Sequence, residues 1–153
     1  MRIKLVIIVS LVLILGCNNS GNKYYEDISK LLENSSNKNI IVDSIKYVLI
    51  IPNAGCDSCI NEAETLLIDY KDKLTSLTFV LTTFDIEKSI YLKYGYDIKQ
   101  NKNIIIDKNN HFISNGFNSI YPMILFVENG KLKKVELQSP ENPDAVENLR
   151  KML

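Results

Sequence analysis

Tryptophan is absent from the 153 residues, histidine occurs once, as His111, and there are only three cysteines. A structural zinc site needs four ligands, and only His111 could join a pair of thiols without recruiting carboxylates, so zinc is disfavoured. Covalent haem attachment needs a histidine directly after the second cysteine of a CxxC pair, where Ile60 stands. Net charge is lacking too: 18 basic residues balance 18 acidic ones. A chain without a basic excess is not built to hold a nucleic-acid backbone, so no nucleic-acid partner is expected. The length allows one domain with a substantial core and not two of ordinary size.

What the chain does have begins at its N-terminus. Met1-Arg2-Ile3-Lys4 is a short basic start, and Leu5 to Leu15 is an apolar run broken only by Ser10. A membrane-spanning helix needs about 20 apolar residues, so the run is too short to span and suits the apolar region of a secretory signal. Ile14-Leu15-Gly16-Cys17 resembles the lipobox of bacterial lipoproteins. That resemblance implies cleavage after Gly16 and lipidation of Cys17, with residues 1–16 as the signal peptide. The protein is then expected in the bacterial cell envelope, anchored by N-terminal lipid to a membrane outside the cytoplasm. Loss of Arg2 and Lys4 with the signal leaves 16 basic against 18 acidic residues, a net charge of −2. Residues 17–23, rich in Asn, Ser and Gly, read as a flexible lipidated tether, and residues 24–153 as the folded domain.

Within that domain the hydrophobic pattern predicts alternating elements. Tyr25, Ile28, Leu31 and Leu32 lie near helical spacing, and Ile40-Ile41-Val42 predicts a strand before the central one. Tyr47 to Ile51 is an apolar, branched run of strand length that ends at Pro52. Ile60, Ala63, Leu67, Tyr70 and Leu74 then recur on one helical face. Leu77 to Thr83 predicts a second core strand, Asp85 a cap for a helix reaching Tyr94, and Asn103 to Asp107 a short strand. Residues 111–120 carry no periodic signal. Tyr121 to Val127 predicts a strand too apolar to face water, joined by the Asn129-Gly130 hairpin signal to Lys131–Leu137. Asn142-Pro143-Asp144 reads as cap, first-turn proline and acidic residue of a last helix, with Val146, Leu149 and Leu153 on one face.

The chemistry sits between the central strand and its helix, in Gly55-Cys56-Asp57-Ser58-Cys59. At a helix start, unpaired backbone N–H groups and the helix dipole favour a thiolate over a thiol, and an offset of three residues puts the second sulfur within disulfide range. Cys56 precedes the helix beside Gly55, whereas Cys59 borders the apolar stripe, so Cys56 is the more exposed sulfur. Asp57 works the other way. Its carboxylate beside Cys56 opposes a helix-terminus effect of typically about 0.3 to 1 kcal/mol.

Strand, CxxC helix, strand, helix, a strand headed by Tyr121-Pro122, Asn-Gly hairpin and helix is an order similar to the thioredoxin fold. With the lipobox it resembles the membrane-tethered, extracytoplasmic TlpA-like thiol-disulfide oxidoreductases, over about residues 40 to 153. The resemblance implies an α/β, three-layer sandwich with a mixed central sheet and flanking helices. It implies that Cys56 is the nucleophile, that Cys59 resolves the mixed disulfide, and that Pro122 is cis and faces the cysteines, with Tyr121 and Pro122 shaping the substrate groove. Partners would be extracytoplasmic protein thiols or disulfides and a redox partner protein, with no cofactor. The sequence departs from the family in having Gly55 where tryptophan is common, and Asp57-Ser58 where Gly-Pro or similar residues are common.

Two other uses of the pair stay open. Cys56, Cys59 and His111 together suit Cu(I), which an envelope lipoprotein could carry. Alternatively, the disulfide is structural and the domain binds another surface protein or a ligand. A bridge closing so few residues constrains an unfolded chain little, which argues against a purely stapling role.

Overall fold

The structure is a computed structural model, and the residues it describes are 25, 26, 28–30, 32, 44–82, 87–108, 112 and 119–153, with the side chains of 87, 88 and 96 excepted. Period-2 alternation organises it. In β1 (Tyr47–Ile51), Leu49 and Ile51 point to one hydrophobic cluster while Val48 and Ile50 point to the other. A strand whose residues are apolar at both parities must be covered on both faces, and that is what places β1 in the middle of the molecule.

The sheet runs β3-β2-β1-β4-β5. β2 (Leu77–Thr82) pairs in parallel with β1, in register from Tyr47 opposite Leu77 to Ile51 opposite Leu81. β3 (Ile104–Asp107) adds in parallel outside β2. On the other side of β1, β4 (Met123–Glu128) and β5 (Lys131–Leu137) are antiparallel. β1 is therefore the strand at which a parallel half-sheet meets an antiparallel one. The hairpin between β4 and β5 is the predicted one: Asn129 and Gly130 have φ of 52° and 67°, the pair of positive values that an Asn-Gly two-residue turn supplies. A register shift between Phe126 and Val127 breaks the ladder, a local irregularity with no signal in the sequence.

Among the described residues, the helices with defined bounds that connect or follow the strands are α1 (Asp57–Tyr70), α2 (Glu87–Tyr94) and α3 (Ala145–Met152). A 3-10 turn, Tyr96–Gln100, follows α2. Ile60, Ala63, Leu66 and Leu67 of α1, together with Val146 and Leu149 of α3, pack on the face of Leu49, Phe79 and Ile124. Ile28 and Leu32, from a helical stretch near the N-terminus, and Phe112 cover the opposite face against Val48, Val80 and Leu125. The result is an α/β arrangement of a five-stranded mixed sheet flanked by helices. Among the described residues no helix is long and apolar enough to cross a membrane.

Several expected boundaries change. α1 ends at Tyr70, so Leu74 is not on its stripe but beyond a turn at Lys71–Lys73. The Asn103 carboxamide donates to the carbonyls of Lys71 (3.2 Å) and Leu74 (2.7 Å), and that of Asn101 to Lys71 as well (3.0 Å). These bonds satisfy carbonyls that a longer helix would have used. The last helix starts at Ala145, and its N-cap, Asp144, makes no side-chain cap bond. The cap comes from outside the helix: Gln138 Oε1 accepts the Val146 N–H at 2.8 Å. Asn142, expected as the cap, instead bridges Ser139 through its backbone. The signal peptide, Cys17, the tether, the strand expected around Ile40 to Val42 and the Asp85 cap lie outside the described residues.

Candidate redox site

β1 ends against Pro52, and residues 53–55 turn the chain back over the ends of β1 and β4 before α1 begins. Gly55 makes that turn possible. Its φ is +152°, and a Cβ placed there would lie 2.1 Å from the Ile120 carbonyl oxygen and 2.8 Å from its Cα. Only a residue without a Cβ lets the loop approach so closely. The contact is closed by the next residue, whose N–H donates to Ile120 O at 3.0 Å. That residue is Cys56.

Cys56 is the N-cap of α1, with φ −73° and ψ 100°, and its carbonyl accepts the Ile60 N–H at 2.9 Å. The Cys56 side chain itself makes no cap hydrogen bond. Unpaired N–H groups at a helix start favour an anionic sulfur at the N-cap position over a neutral thiol. The Cys56 and Cys59 sulfurs lie at disulfide distance, 2.25 Å, with Cα atoms 5.3 Å apart. Cys56 is half-buried and Cys59 buried at 7% exposure, the asymmetry that the apolar stripe predicts. Ser58 Oγ stands 3.4 Å from the Cys56 sulfur, and Asp57 is exposed on the first turn.

The loop ahead of β4 supplies the other wall. Ser119 Oγ accepts the Tyr121 N–H (3.1 Å) and donates to the Tyr121 carbonyl (2.9 Å), closing a tight turn before Pro122. Ile120, 52% exposed, is the residue of this loop that meets the cysteine loop. Here one expectation is corrected: the Tyr121–Pro122 peptide is not cis, because no cis bond occurs among the described residues. The Ser119-centred turn is made with the bond trans, the isomer that X-Pro peptides favour by about 0.5–1 kcal/mol. Pro122 itself is buried, and its carbonyl accepts the Gln138 N–H at 2.9 Å.

A second feature borders the same loop. At the C-terminal ends of β1 and β2 a cavity of about 100 Å³ is lined by Pro52, Asn53, Glu64, Thr82, Lys93 and Tyr94, among others. Glu64, on α1, is buried at 8% exposure and accepts from Lys93 Nζ (2.6 Å) and from the Tyr94 hydroxyl (2.5 Å). Burial first, and then the bond to Glu64, push the Tyr94 phenol well above the ordinary tyrosine range.

Sequence reasoning identified Cys56, Cys59 and the Tyr121-Pro122 loop, and the structure brings those two stretches together. It missed Ile120, which lies in a stretch without periodicity, and the close-approach role of Gly55. It also missed the buried Gln138, which no local pattern marks. His111, on which a copper site would depend, lies outside the described residues. Comparison with family models, with curated proteins and with solved structures returned no match.

Proposed function

We propose that this protein is a thiol-disulfide oxidoreductase with a thioredoxin-like fold, tethered by lipid at Cys17 outside the cytoplasm. The observation that carries the proposal is the placement of a half-buried Cys56 as the N-cap of α1, at disulfide distance from a buried Cys59. The sheet supports it: the CxxC helix leaves the strand that has a parallel neighbour on one side and an antiparallel hairpin on the other.

In the reduced protein the Cys56 thiolate attacks one sulfur of a client disulfide, forming a mixed disulfide and releasing the other client sulfur as a thiolate, which takes up a proton. The Cys59 thiolate then attacks the Cys56 sulfur. The second client sulfur leaves, the client is reduced by two electrons, and the Cys56–Cys59 disulfide has formed. Run backwards, the same steps oxidise a client dithiol. The proton that Cys59 must lose is released late, which suits a buried thiol that stays protonated until the mixed disulfide exists.

Trapping tests the proposal. Cys59→Ser, expressed with its native leader, is expected to accumulate covalent complexes with client proteins that dissolve under reductant, and Cys56→Ser far fewer. If neither variant traps a client, and the wild-type dithiol exchanges with small disulfides no faster than an unfolded CxxC peptide, a binding domain with a structural bridge is the better account.

A further inference from the structure

α1 carries three carboxylates in its first eight residues, Asp57, Glu62 and Glu64, and no lysine or arginine occurs between Tyr47 and Tyr70 to balance them. Two of the three are tied down. Glu64 is held on one side by Lys93 and Tyr94. Glu62 is held on another by Gln138, whose Nε2 donates to Glu62 Oε2. Gln138 is 2% exposed, and every polar atom of its side chain is engaged: Nε2 donates also to the Pro143 carbonyl at 2.6 Å, and Oε1 accepts from Val146 N–H at 2.8 Å. Its backbone N–H meets Pro122 O, so one residue joins the Tyr121-Pro122 loop, the CxxC helix and the start of α3.

The position of Glu62 gives this bond a meaning beyond packing. Helical side chains lean toward the N-terminus, so residue 62 overhangs residues 58 and 59, the turn that holds the cysteines. A carboxylate there is repelled by a thiolate. We propose that Gln138 is a positioning residue of the redox site: by holding the Glu62 carboxylate toward α3, it keeps a second negative charge, besides Asp57, off the cysteine turn. The inference rests on the dithiol-exchange function for its biological use, but its physical content concerns only the reduced thiols. The other titratable groups around the turn stay as they are: Tyr121 on the facing loop, Glu64 on its own partners, and on α3 Glu147, Lys151 and Arg150, the last pairing with Asp69 near the far end of α1.

The test is the pH dependence of Cys56 alkylation in the reduced full-length protein. Gln138→Leu is expected to lower the thiolate fraction at neutral pH about two- to fivefold, a rise of roughly 0.3–0.7 in pKa. Gln138→Leu/Glu62→Gln is expected to restore the wild-type titration even though the α3 cap stays broken, a rescue that a merely structural role would not produce. Because Gln138→Leu also removes a buried cap, Glu62→Asp and Glu62→Asn form a second pair that leaves Gln138 in place. Asp is too short to reach Gln138 and keeps its charge, so only Glu62→Asp should raise the Cys56 pKa. Identical titrations of these two variants, or no rescue in the double variant, overturn the inference. Alkylation needs no client, so failure to trap clients leaves this result interpretable on its own.

Discussion

Gly55→Ala places a methyl group where the Ile120 backbone already is. The added Cβ would sit 2.1 Å from Ile120 O, 2.7 Å from Ile120 C and 2.8 Å from Ile120 Cα, all backbone atoms that no rotamer change can move. The loop has to withdraw. Withdrawal breaks the Cys56 N–H to Ile120 O hydrogen bond of 3.0 Å, a net loss of about 0.5–1.5 kcal/mol. Keeping φ near +152° with a side chain costs on the order of 1–3 kcal/mol as well. The two together predict a destabilisation of about 2–4 kcal/mol. With a urea slope of about 2 kcal/mol/M, the middle of the range for small domains, the midpoint should fall by roughly 1–2 M. The assay is urea unfolding of the oxidised protein followed by far-UV circular dichroism, paired with the alkylation rate of Cys56 after reduction. That rate should change as well, because the first turn of α1 loses its anchor. A loss below about 0.5 kcal/mol, within the range of ordinary surface substitutions, with an unchanged alkylation rate would refute the argument that this contact positions the cysteine.

Two further outcomes concern other parts of the fold. Tyr94 is held protonated above its ordinary value of 10.0 by burial and by Glu64, so the unfolded chain loses this proton first as pH rises. Its contribution is full below pH 10 and lost above it; Tyr94→Phe should flatten the decline of thermal stability measured between pH 9 and 11, and an unchanged slope would contradict this. Asn103→Ala leaves the carbonyls of Lys71 and Leu74 without the Asn103 amide and should destabilise by about 1–3 kcal/mol in denaturant melts, with no effect on Cys56 alkylation.

The elements that sequence reasoning placed well are those whose signal is local. β1 declares itself by five consecutive apolar residues, the hairpin by Asn129-Gly130, and the burial order of Cys56 and Cys59 by the stripe of Ile60, Ala63 and Leu67. What it missed depends on partners distant in the chain. The cap of α3 is on Gln138, because Asn142 turns to pair with Ser139. The turn ahead of Pro122 is built on a serine hydroxyl in a stretch with no periodicity, and it is made with a trans peptide. The near contact that obliges residue 55 to be glycine joins it to Ile120, and no window of a dozen residues contains both.

That last separation bears on how the chain acquires its chemistry during folding. The cysteines are three residues apart, so their bridge can close in a nascent or unfolded chain at almost no cost in loop entropy. It is compatible with nearly any arrangement of the rest. The Ile120 contact, by contrast, requires β4 to have docked beside β1, a long-range pairing of the kind that forms slowly. Oxidation can therefore precede folding without trapping a wrong topology, while the positioned sulfur emerges only when the sheet is complete. An unfinished chain would carry the bond without the contact that positions Cys56.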